Sequence, residues 1–154
     1  MGLYVLALLI GVIAGLRAMT APAAISWAAS LGLINLEGTW LAFLGYRWTP
    51  WIMTVLAIGE LIGDQLPTTP SRKTLLPFTT RIIMGGLCGG AIAASGGSFL
   101  GGLVAGAIGG IIGTLGGAEG RARLAAAFGK DRPAALIEDA VAIIGAALIV
   151  GAVP

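Results

Sequence analysis

Six ionisable side chains interrupt the apolar segments of this chain: Arg17, Glu60, Asp64, Arg81, Glu138 and Asp139. Arg17 is the most informative, because it lies in an otherwise uncharged run from Gly2 to Asn35. A charge at the centre of a membrane helix costs about 2.5–3.5 kcal/mol on insertion scales, so it needs a partner, a water-filled cavity or a short reach to the interface. Glu60 and Asp64 stand four residues apart and share one helix face. Glu138 and Asp139 are adjacent and point about 100° apart on a helix, so at most one is expected to face a given cavity squarely. Arg17 and Arg81 are the natural counter-charges of these carboxylates. Such a set neutralises itself when empty, and when opened it binds an anionic group or passes a small solute or ion. Thr20, one turn beyond Arg17, joins these candidates, and Ser71, Arg72 and Glu119 form a second rank.

Each residue also has a plainer reading. Glu60 and Asp64 fit a helix end entering the headgroups, and Glu138 and Asp139 fit a helix start favoured by the helix dipole. Arg81 lies near the start of its apolar segment, within snorkelling reach of the interface. Other chemistry has little to build on. The chain has no histidine, a single cysteine at Cys88, and no Gly-Lys-Ser/Thr phosphate loop. No enzymatic activity, cofactor or metal is expected. A net charge of +2 gives no basic surface for nucleic acid.

The elements that must position these residues are apolar. Hydrophobic residues make up 57% of the 154 and charged residues only 10%, against about 25% charged in soluble domains. With several apolar runs near 20 residues, this predicts an all-α, polytopic membrane bundle of about five transmembrane helices, residues 1–154 forming one integral membrane domain. The stretch Leu3–Leu33 would be roughly 46 Å long as one helix, more than a hydrocarbon core of about 30 Å. A break is expected near Arg17–Pro22, followed by a tilted, half-length or re-entrant piece from Ala23 to Leu33. Ile34–Pro50, with Trp40, Phe43, Tyr46 and Trp48, reads as an interfacial aromatic girdle.

Trp51–Ile62, Leu75–Ser95, Phe99–Ala118 and Pro133–Val153 read as the remaining apolar segments, with a short basic amphipathic piece at Ala122–Phe128. Two four-residue glycine ladders, Gly102/Gly106/Gly110 and Gly109/Gly113/Gly117, let helices approach closely. They would do so within one subunit or at a homodimer seam, and a dimer would supply wall for a pathway. Loops 65–76 and 118–132 hold six basic residues against Arg47 alone on the other side, which makes them cytoplasmic. A single crossing by Leu3–Leu33 puts the N-terminus in the cytoplasm, and a second crossing by Ala23–Leu33 moves it outside. The halves 11–67 and 106–145 hint at an inverted repeat.

The strings Gly15-Leu16-Arg17-Ala18-Met19-Thr20-Ala21-Pro22-Ala23, Asp64-Gln65-Leu66-Pro67 with Pro70-Ser71-Arg72, and Ile137-Glu138-Asp139-Ala140, together with Glu60 and Arg81, resemble domain-of-unknown-function family 4126. The resemblance covers nearly the whole chain, with Gln65 where many relatives carry Lys. It implies a small multi-pass protein of the bacterial inner membrane, singles out the same polar residues, and assigns no activity. The leading expectation is a transporter or channel-like binder of a small solute or ion. The alternatives are a structural or accessory membrane protein whose charges only pair helices, and a lipid-handling protein whose basic segment Arg121–Arg132 meets anionic headgroups. Whether Arg17 lines a solvated cavity or a dry ion pair separates them.

Overall fold

A computed structural model describes residues 2–36, 39, 41–63, 75–94, 96, 98–129 and 131–153, and their side chains except at 75–77, 131 and 132. The expectations placed on Asp64, Ser71 and Arg72 fall outside the described residues. Among those residues the fold is all-helical: α1 (Leu3–Leu16), α2 (Thr20–Ser30), α3 (Thr49–Gly63), α4 (Leu75–Ala94), α5 (Phe99–Phe128) and α6 (Asp131–Gly151), with a 3-10 turn at Ala42–Gly45 before α3.

The break in the first apolar stretch falls at Arg17–Met19, just before the proline. Arg17 is extended and ends α1, while Pro22 sits in the first turn of α2. A proline ring clashes with the carbonyl four residues back, here Ala18, and tolerates a first turn. The chain then reverses. Ala18 and Met19, just before α2, lie beside Glu60 near the end of α3, and Trp27 meets Thr54 earlier in α3. Farther along, α2 faces Ile143 to Val150 of α6. Helices α1 and α2 therefore form a hairpin whose tip is Arg17–Met19.

Helix α5 is the axis of the bundle. A Cβ on Gly109 or Gly113 would collide with the backbone carbonyls of Leu8 and Val12 in α1. One on Gly102, Gly106 or Gly110 would press on α4 at Gly89, Gly85 and Arg81. The two glycine ladders thus pack α5 against both neighbours within one chain, at distances only glycine permits. The order of these contacts makes α1 parallel to α5 and α4 antiparallel to it. The N-terminus consequently lies at the opposite end of the bundle from the basic end of α5, the placement that goes with the second of the two sequence readings of the first 33 residues. It also counts against the inverted repeat, whose matched segments around 11–17 and 106–121 would have to run antiparallel.

A second correction concerns the segment 118–132. Phe99–Phe128 is one continuous helix of 30 residues, so the basic piece is its last third and only a short turn precedes α6. No proline lies between Ala118 and Phe128, the exposed pair Glu119–Arg123 is spaced i,i+4, and left-handed Gly129 supplies the stop.

The buried and exposed sets invert the usual size order. Small residues fill the contacts between α1, α4 and α5. Large aliphatic residues point outward: Val104, Ile108, Ile111, Ile112 and Leu115 on α5, Ile143, Ile144 and Leu148 on α6, Val55, Ile58 and Ile62 on α3. Among the described residues, two helices, Phe99–Phe128 and Pro133–Gly151, are long and apolar enough to cross a membrane.

Candidate functional site

The hairpin tip is where the charges meet. Helix α1 ends with carbonyls that have no helical partner, and α2 begins with unpaired N–H groups. Each end is matched by charge of the sign its dipole favours. The Arg81 guanidinium, carried inward by α4, donates to the carbonyls of Gly15 (2.6 Å) and Leu16 (2.7 Å). Arg17 adds a bond from its own Nη1 to Leu16 (3.1 Å). From α3, the Glu60 carboxylate accepts the backbone N–H groups of Ala18 and Met19, each at 3.1 Å. Glu60 is therefore a helix cap, where an arginine partner was expected. Arg81 is buried and turns into the bundle, so it does not snorkel.

Arg17 has no exposed surface. Its Nε donates to Asp139 Oδ1 at 2.6 Å, Nη2 pairs with the same oxygen, and Nη1 lies 3.5 Å from Glu138 Oε1. Both adjacent carboxylates engage it, contrary to the expectation that only one would face it. The reason is the width of the guanidinium fork, whose donors lie along different edges and meet side chains set 100° apart.

Arg121, which sequence reasoning treated as part of a basic loop, extends this group. Its Nη1 lies 3.8 Å from Glu138 Oε2, and its side chain is 14% exposed. The signal that could have revealed it is spacing: continued as a helix, α5 carries Arg121 onto the face of Gly110, Gly113 and Gly117. Glu119 faces outward with Arg123 (3.0 Å) and takes no part. Six residues, from four helices and the hairpin tip, thus converge, three arginines and three carboxylates of balanced charge. Among the described residues, no three His, Cys, Asp or Glu side chains are grouped to hold a metal ion.

Thr20 is buried in the first turn of α2, and its hydroxyl has no hydrogen-bond partner. It lines a groove of about 360 Å³ between α2, α3 and α6, walled otherwise by residues such as Ala24, Trp27, Ile58, Leu61, Ile143 and Ala147. A second pocket, of about 430 Å³, lies at the far end of α2, around Gly32, Asn35, Gly45 and Tyr46.

Comparison of the chain with protein-family models, curated proteins and solved structures returns no match. The functional reading accordingly rests on the residues themselves.

Proposed function

We propose that the chain is a multi-pass protein of the bacterial inner membrane, of the kind its resemblance to family 4126 implies. Its charged centre acts as an internal clamp, and the protein is accordingly structural or accessory. Helices α3 to α6 cross the bilayer, and the α1–α2 hairpin enters and leaves on one face. The supporting observation for the membrane is the outward-facing set of large aliphatic side chains on α3, α5 and α6, far more than a soluble monomer exposes in one patch. Exposed Tyr46, Trp48 and Trp51 form an interfacial belt where α3 begins. The basic end, with Arg121 and Arg123 on α5 and the segment after α3, is cytoplasmic, and both termini lie on the other side.

The observation that carries the clamp is the enclosure of Arg17. Its guanidinium has no exposed surface, and both flanking carboxylates bear on it. Together with Arg81 and Glu60 it satisfies the backbone groups that a broken helix leaves bare, which a membrane interior requires. A second reading, passage of a small solute or ion through this centre, is favoured by the chain from partly exposed Arg121 through Glu138 to enclosed Arg17. Self-association through glycine would use the outward pair Gly116 and Gly120, where a Cβ meets open space, since the inner ladders are occupied.

Reconstitution separates the two readings. Liposomes carrying the wild-type chain are assayed for proton, sodium, potassium and chloride flux beside liposomes carrying folded Arg17→Met/Asp139→Leu protein. The clamp predicts no protein-dependent flux in either. Flux in the wild type that is lost in the folded double variant would establish the pathway instead.

A further inference from the structure

The charged centre has an inner and an outer side. Glu138 lies between two arginines, 3.5 Å from Arg17 and 3.8 Å from Arg121, and divides its charge between them. Arg17, the inner one, is fully enclosed and also holds Asp139. Arg121 is the outer one. Its side chain is 14% exposed, against 7% for that of Glu138. A group approaching from outside therefore meets the cation before the carboxylate.

Arg121 stands in the wall of a shallow groove of about 140 Å³ between α5 and α6, with Gly117, Gly120, Leu124, Ile137 and Val141. The two glycines leave a notch in α5, and a Cβ on Gly120 would meet open space. Ile137 and Val141 are exposed on the other wall. Position along α5 sets what lies outside. From Phe99 to Arg121 the helix rises about 33 Å, just past a hydrocarbon core of about 30 Å. On the membrane reading above, on which this inference rests, Arg121 stands at the headgroups of the cytoplasmic leaflet, and the notch leads down from it into hydrocarbon. The segment 118–132 carries four basic residues and two acidic ones, so anions are favoured at this level.

We propose that the groove between α5 and α6 binds an anionic phospholipid of the cytoplasmic leaflet, its phosphodiester on Arg121 and the start of one acyl chain in the notch of Gly117 and Gly120. The rest of that chain follows the exposed face of α6 past Val141, Ile144 and Leu148. A zwitterionic lipid fills the same notch, but its ammonium group cancels the charge of its phosphate. General attraction to an anionic surface would act most through Arg123, whose side chain is 80% exposed. The groove selects Arg121 instead.

The test is native mass spectrometry of the full-length protein in detergent, titrated with dioleoylphosphatidylglycerol or dioleoylphosphatidylcholine. The anionic lipid should occupy its first site about 5-fold more tightly, the effect of one basic residue at a charged interface. Arg121→Gln should abolish that preference, and Arg123→Gln should keep it. Gly120→Leu, which fills the notch from a position with open space around its Cβ, should weaken the binding of both lipids and leave the unfolding midpoint in place. Inorganic phosphate should not displace the bound lipid, and displacement would overturn the lipid as occupant. Equal binding of the two lipids, equal losses in Arg121→Gln and Arg123→Gln, or unchanged binding in Gly120→Leu would each overturn the site. Protein that fails to insert into liposomes would overturn the membrane reading itself, whereas equal lipid binding by protein that inserts overturns this site alone.

Discussion

Arg17 and Asp139 stand 122 positions apart in sequence and share a hydrogen bond of 2.6 Å inside the bundle. In such a pair, removal of one member strands the other, at a cost of about 3–5 kcal/mol. Glu60 works differently, as a carboxylate on two backbone N–H groups, and an N-terminal cap of this kind contributes about 1–2 kcal/mol. We predict that Glu60→Ala lowers stability by that amount. Hydrogen exchange should accelerate first at Ala18 and Met19, and acceleration spread evenly over the chain would contradict the cap. The polar residues were legible from sequence because charge in an apolar run is conspicuous. The carboxylate partners of Arg17 were legible too, as Glu138 and Asp139 show, but the backbone partners of Glu60 and Arg81 were not. Glu60 binds backbone, and no pattern of side-chain types announces that a carboxylate will cap a helix more than 40 positions away.

At the scale of elements, the hairpin and the glycine seams decide the architecture. Pro22 gave away the break to within a few residues, since its ring excludes a continuous helix. The direction taken afterwards was hidden, because an extended Arg17 leads equally well into a tilted continuation or a reversal. Glycine spacing predicted close approach, while its partners, α1 and α4, depend on which face of α5 each ladder occupies. Gly109→Ala should destabilise strongly, by about 2 kcal/mol or more, because its Cβ would collide with the Leu8 carbonyl oxygen. Gly116→Ala has open space around it and should stabilise by up to about 1 kcal/mol through helix propensity. Thermal unfolding in detergent checks both, and a neutral Gly109→Ala would refute the α1–α5 seam.

For the whole molecule, composition foretold helices and apolar surface, and the fold bears out the all-helical class. It could not foretell that the basic segment after Ala118 prolongs α5, since the apolar run ends at Ala118 and Gly120 suits a turn as readily as a helix. The orientation carries a direct prediction. Cysteines introduced at Gly2 and Val153 should react with an impermeant maleimide added outside intact cells, and one at Arg123 only after lysis. Cys88 is buried and leaves the background low. Labelling of Gly2→Cys and Arg123→Cys from the same side would contradict the parallel arrangement of α1 and α5.

The central claim is that opposite charges clamp a broken helix within a closed core. Its most direct measurement is a double-mutant cycle on Arg17 and Asp139, read by reversible unfolding of purified protein in detergent. Arg17→Met alone leaves Asp139 without its cation, and Asp139→Leu alone removes the nearer of the two carboxylates that bear on Arg17 and leaves Glu138, which Arg121 also attracts. Each should cost about 3–5 kcal/mol, and the double variant should recover most of that loss. Additive losses, or single variants as stable as the wild type, would contradict the clamp.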